Sequence, residues 1–245
     1  MKKINLKNIF IKSITNKKNI LLFFVLCVFV VSAQFYPTKI YLHNGDVIDC
    51  YVKFPINDVQ KKVVYKSDLD SKKKNKLKSD EINSMLVTSK DEGNFILERS
   101  SIKRYYKTFG GEIKFVIPKR KTWNLAIFYN QEFQVYRTAE KYRFDRKGIL
   151  VSIVRSNNGV PASFWISYKR KGEDCPTYIK DDYGNFLFAF GEARVTRKML
   201  EIYFTDQPEF AKRFSDKKYT KEKTHIDIAE EYTEYIKEKN QSFQD

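Results

Sequence analysis

Two basic triplets are the residues best equipped for chemistry in this 245-residue chain: Lys119-Arg120-Lys121 and Lys169-Arg170-Lys171. Clustered ammonium and guanidinium groups make charge-assisted hydrogen bonds to phosphate and carboxylate oxygens. Trp123, Trp165 and Tyr168 stand close to them in sequence and offer ring faces on which sugars stack. Triplets that converge on one face would hold an anionic lipid headgroup or an acidic glycan. The competing reading makes these and the lysine runs at 72–74 and 217–223 solvated charges that discourage edge-to-edge strand pairing.

Other chemistry finds less support. His43 and His225 are the only histidines, and neither has a second His or Cys two to five residues away, so no metal site is expected. Acidic pairs occur at Glu173-Asp174, Asp181-Asp182 and Glu230-Glu231, but a hydrolase needs two carboxylates held across a scissile bond. No G-x-S-x-G nucleophile elbow is present. Cys175 lies beside Glu173 and Asp174, which disfavour a reactive thiolate. No catalytic residue, cofactor or metal is therefore assigned.

The N-terminus supplies an address. Residues 1–19 hold six lysines and no acid, and residues 20–31 read ILLFFVLCVFVV. Val31-Ser32-Ala33 then offers small residues for cleavage, with Gln34 as the new N-terminus. A basic region, a short apolar core and an A-x-A-like site make a secretory signal peptide. Twelve apolar residues fall short of the roughly 20 that a membrane span needs. The expected location is the periplasm or cell envelope. Removing residues 1–33 takes six of the 46 basic residues and none of the 30 acidic ones, so the body stays strongly basic. Export argues against nucleic acid as the partner and towards envelope lipid, glycan or protein. It also permits a disulfide between Cys50 and Cys175, although a buried thiol fits Cys50 equally well.

The elements that must position these groups are mostly strands. Residues 38–43 and 46–54 form a hairpin around Asn44-Gly45, with Ile48, Cys50, Val52 and Phe54 on one face. Further strands are expected at 62–66, 82–88, 95–98, 102–107, 112–117, 123–129, 132–137, 148–155, 162–169 and 185–190. Residues 67–76 read as a charged connector. Short strands broken by turn signals predict a mainly β (α+β) fold, an antiparallel small barrel or sandwich with a C-terminal helical segment. The divisions are the leader 1–33, a small-barrel-like region 38–90, an antiparallel β region 91–192 and C-terminal helices over 193–240. A helix over 194–204 places Val195, Met199, Ile202 and Tyr203 on one face. Asp206-Gln207-Pro208-Glu209 opens a short helix. Thr224 and Asp227 form a capping box for a last helix whose stripe of His225, Ile228, Ala229, Tyr232, Tyr235 and Ile236 packs on the β body.

Leu42, Asn44, Gly45, Asp46 and Ile48, in the pattern L-x-N-G-D-x-I, resemble the hairpin of Sm-like RNA-binding barrels. That resemblance implies a small barrel over 38–88, while export removes RNA from reach. The whole body resembles uncharacterised exported proteins of the Bacteroidota, which open on such a hairpin and carry a YF-x-D-C-P-x-L motif before a final helix. The matching stretch here is Tyr203-Phe204-Thr205-Asp206-Gln207-Pro208-Glu209-Phe210, with Gln207 replacing the cysteine. The resemblance implies envelope location and brings no catalytic residues. The expected function is a non-enzymatic module binding an anionic envelope component or a protein. An envelope-polymer hydrolase with acids gathered from distant positions is the alternative.

Overall fold

The computed structural model describes residues 34–89, 93–109, 111–155, 162–182 and 192–242. The expected leader (1–33) and the expected strand at 185–190 lie outside the described residues. The strands are β1 (Phe35–Leu42), β2 (Val47–Lys53), β3 (Ile56–Asn57), β4 (Lys62–Lys66), β5 (Asn75–Lys78), β6 (Ile82–Ser89), β7 (Gly93–Ser100), β8 (Arg104–Lys107), β9 (Ile113–Val116), β10 (Thr122–Tyr129), β11 (Phe133–Thr138), β12 (Lys141–Phe144), β13 (Leu150–Ile153), β14 (Phe164–Arg170) and β15 (Thr177–Asp182). The helices are α1 (Glu192–Tyr203), α2 (Pro208–Ala211), which runs into a 3-10 turn (Lys212–Ser215), α3 (Tyr219–Glu222) and α4 (His225–Gln241).

The fold is mainly β and antiparallel, closed at its C-terminus by helices. One open sheet of ten strands runs β5-β4-β2-β1-β6-β7-β10-β11-β14-β15; β3-β12-β13 form a second sheet and β8-β9 a third. Residues 38–90 do not close into a barrel of their own. Closure would need β5 to meet β6, but β5 runs into a 3-10 turn (Ser79–Glu81) and β6 pairs with β1 and β7 instead. Residues Phe35–Asp245 form one compact unit.

Alternation along the strands builds the core. Ile40, Met85, Leu97 and Leu125 are successive cross-strand partners and form an apolar row across four strands. Cys50, Val52 and Phe54 extend that face, which β12 and β13 cover with Tyr142, Phe144 and Leu150. A second core uses Phe133, Val135, Ile166, Tyr168 and Ile179 of β11, β14 and β15. Leu200, Tyr203, Phe204, Phe210, Phe214, Ile228 and Tyr232 from the helical segment cover it. Phe204 sits within 4.8 to 6.1 Å of five other rings in this cluster. Burial of each such side chain stabilises the fold by about 1.5–3 kcal/mol.

Local chemistry sets the ends of the elements. Leu42 N–H donates to the Asp46 carbonyl (2.9 Å), so the turn around Asn44-Gly45 holds three residues, and Gly45 takes a left-handed conformation (φ +92°). Thr224 accepts from Asp227 N–H (3.2 Å) while Asp227 accepts from Thr224 N–H (2.7 Å), completing the capping box of α4. Ile228, Ala229 and Tyr232 of α4 are buried as the spacing predicts. The stripe of α1 is rotated from its expected position. Val195 faces solvent, and Thr196, Leu200 and Tyr203, at i, i+4 and i+7, face inward.

Candidate functional site: a basic cleft at residues 58–62, 78–80, 99 and 119–121

The two triplets have opposite fates. Lys169-Arg170-Lys171 sits at the end of β14, and strand alternation sends its members to different faces. Lys169 lies opposite Gln134 and donates to Glu98 (2.9 Å), which also accepts from the Tyr136 hydroxyl. Arg170 lies opposite Phe133 and donates to Glu173 (3.1 and 3.2 Å) and Asp206 (2.7 Å). Burial works against its charge, but Asp206, Tyr203 and Glu173 together raise its pKa above the usual arginine value. Lys171 donates to Glu132 (2.8 Å). Each charge is consumed by an internal acid, so this triplet does not join the other in an anion site.

Lys119-Arg120-Lys121 instead occupies the loop between β9 and β10, where no alternation separates the side chains. The loop borders an open cleft of about 600 Å³ with Val59, Lys61, Lys62, Lys78, Asp80 and Arg99. Among the described residues, Lys61, Lys62, Lys119 and Lys121 form no ion pair. Arg120 reaches Asp58 at 3.5 Å, and Lys78 reaches Glu81 at 3.6 Å with both side chains exposed.

The backbone holds these groups in place. The loop after β3 is fixed by Asp58 N–H to the Glu140 carbonyl (2.9 Å) and by Trp123 N–H to the Asp58 carbonyl (2.8 Å). The 3-10 turn is tied to it through Ser79 N–H to Lys61 O (2.9 Å) and Ser79 Oγ to Gln60 O (2.5 Å). In the β4–β5 ladder, Lys62 lies directly opposite Lys78. Like charges in that position oppose strand pairing.

Arg99 forms the floor. Its side chain is 5 % exposed, Nη1 donates to the Asp58 carbonyl (2.9 Å), and Nη2 meets Asp80 at 3.5 Å. Its Nε is buried and has no hydrogen-bond partner among the described residues. Burial pulls its pKa below the usual arginine value, opposed by Asp80 and Asp58. Burial also raises the Asp58 carboxyl pKa, and the Arg120 and Arg99 charges counter that rise. The acids at this site are thus spent on its arginines, while most of its lysines stay open to solvent.

The remaining candidates fall elsewhere. Trp123 and Tyr168 are fully buried and offer no ring face to a sugar. Trp165 is covered by the Arg104 guanidinium at 4.3 Å. Lys218 and Lys223 pair with Glu222 and Glu231. Cys50 and Cys175 are both buried free thiols, so the permitted disulfide is not formed; six strands of the large sheet separate β2 from β15. Burial, aided by Asp49, pushes the Cys50 thiol up to about 12. His43 is exposed in its turn, and His225 shares a 2.5 Å hydrogen bond with the Tyr168 hydroxyl. Among the described residues, no group of three His, Cys, Asp or Glu could hold a metal ion.

Sequence reasoning found the 119–121 loop and missed Lys61, Lys62, Lys78 and Arg99. Lys62 opens the strand expected at 62–66 and Lys61 adjoins it, but β5 begins within what reads as a connector and ends just past it. Comparison with family models, curated proteins and solved structures returns no match for this chain.

Proposed function

We propose that this protein is an exported cell-envelope binding module that holds an anionic envelope component in the cleft beside residues 119–121. The observation that carries the reading is the Lys62–Lys78 cross-strand pair beside a buried Arg99 and an open basic loop. The like charges that oppose strand pairing are neutralised when an anion enters, and the Arg99 guanidinium on the floor adds to the attraction. Phosphate and carboxylate groups on envelope polymers have the required chemistry. The basic leader at residues 1–33 and the resemblance to exported Bacteroidota proteins support the placement, and the cleft's own acids are tied to arginines rather than free for hydrolysis.

The test is retention on immobilised lipopolysaccharide and binding of soluble polyphosphate, compared between the wild type and a Lys119→Glu/Arg120→Glu/Lys121→Glu variant. The expected result is salt-sensitive binding by the wild type and loss in the variant. Equal binding by both, or none by the wild type, overturns the reading. The placement is checked separately: an intact polypeptide recovered from the cytosol, instead of one starting at Gln34 in the envelope fraction, removes it.

A further inference from the structure

The hairpin of β8 and β9 bears the most unusual surface of the molecule. Tyr106, Phe109, Ile113, Phe115, Val116 and Ile117 are all large, apolar and exposed, and Phe109 near the turn is fully so. The register places Tyr106 and Val116 on one side of the ribbon and Ile113 and Phe115 on the other. Each side of the ribbon therefore carries exposed apolar side chains, interleaved with Arg104 and Lys114 on the first and with the half-buried Tyr105 on the second. A surface strand normally exposes one polar face, and clustered exposed apolar side chains mark an interaction site.

The base of this hairpin is anchored. Lys103 N–H donates to the Pro176 carbonyl (2.8 Å), Tyr178 N–H donates to the Lys103 carbonyl (2.8 Å), and the Tyr105 hydroxyl reaches the Met199 carbonyl (3.5 Å). The turn is braced by Thr108 N–H to the Glu112 carbonyl (2.9 Å). Cations flank the apolar part: Lys103 over the Phe115 ring at 6.0 Å, Lys114 paired with Glu112 at 3.4 Å, and then residues 119–121 directly after the hairpin.

We propose that the β8–β9 hairpin is a wedge that enters the interface of an anionic lipid bilayer, with the basic loop at 119–121 resting on the headgroups. This rests on the reading of the cleft as an anion site and names its ligand as lipid headgroup phosphate. Charge complementarity selects this occupant. A second copy docking on the same ribbon would bring two sets of these lysines together, whereas an anionic surface neutralises them. The geometry sets the depth. Four-residue strands span about 13 Å, and the outer edges of a two-stranded ribbon carry unpaired backbone groups that hydrocarbon does not tolerate. Insertion therefore stops at the boundary between headgroup and acyl chain, as for other interfacial elements.

The experiment uses the unit starting at Gln34, with vesicles of phosphatidylcholine alone or mixed with phosphatidylglycerol, and soluble polyphosphate as a lipid-free anion. The wild type is expected to float with the anionic vesicles and to stay behind with the neutral ones. Phe109→Asp, at a solvent-exposed position, is expected to lower vesicle binding by about tenfold or more while leaving polyphosphate binding unchanged. The 119–121 charge reversal is expected to lose both. Phe109→Trp should show a blue-shifted emission quenched by lipids labelled near the top of the acyl chain. Vesicle binding unchanged by Phe109→Asp, or equal on neutral vesicles, overturns the wedge and leaves the cleft reading intact. Polyphosphate binding unchanged by the charge reversal overturns the cleft reading itself.

Discussion

The helix-covered end of the large sheet and the basic cleft treat charge in opposite ways. At the helical end, Lys169, Arg170 and Lys171 each meet a carboxylate, and Arg213 and Lys223 share Glu231 at 3.0 and 2.7 Å. Around the cleft, lysines face each other across the β4–β5 ladder and the buried Arg99 of β7 keeps an unpartnered nitrogen. The first arrangement spends charge on stability. The second leaves charge open to solvent, and that open charge is what the proposed anion binding would use. Three residues of one composition, K-R-K, thus acquire two roles because one copy ends a strand and the other lies in a loop.

The comparison is most sharply broken at Glu98. Glu98→Ala should leave Lys169 and the Tyr136 hydroxyl without their shared partner and destabilise the protein by about 3–4 kcal/mol in urea unfolding. Arg120→Ala should cost under about 1 kcal/mol in the same measurement. Similar losses would erase the distinction between the two regions.

The helical end also carries a pH dependence. Burial, with Lys180 second among the causes, holds His225 at about 4, below its unfolded value near 6.5. A lowered folded pKa means that the unfolded chain binds the proton more tightly, so stability falls as pH drops from about 6.5 through about 4. The contribution is on the order of 2–3 kcal/mol once the drop is complete. His225→Phe should flatten that part of a pH series of urea midpoints; an unchanged profile would show that His225 does not govern it.

At the cleft, reversing charges 119–121 should weaken polyphosphate binding by roughly tenfold to a hundredfold, while the urea midpoint moves little. The smallest effect is the most discriminating. Lys62→Glu replaces a like-charged pair with an opposite one and should raise stability by about 0.5 kcal/mol while lowering anion affinity. A loss of stability would mean that the two lysines do not oppose each other in the folded protein.

What the sequence discloses follows the range of the forces involved. The first hairpin and the capping box of α4 depend on residues within five positions of one another and are legible locally. The strand β5 (NKLK) is not, because only Leu77 packs inward and the element exists through its pairing with β4. The short β12, whose Tyr142 and Phe144 fill the first core, is hidden in the same way. In α1, Val195 and Thr196 both fit an inward stripe, and neighbouring Leu200 and Phe204 decide the rotation. Arg99 and Lys169 look alike as charged residues within strands. Only the tertiary fold shows that one meets a carboxylate at 2.9 Å and the other lines a cleft.

The unbridged Cys50 has a practical outcome. A thiol that is both shielded by β12 and β13 and reluctant to ionise will react with alkylating reagents only when the sheet comes apart. With a reagent slow beside reclosing, its modification rate therefore reports the fraction of time this sheet spends open.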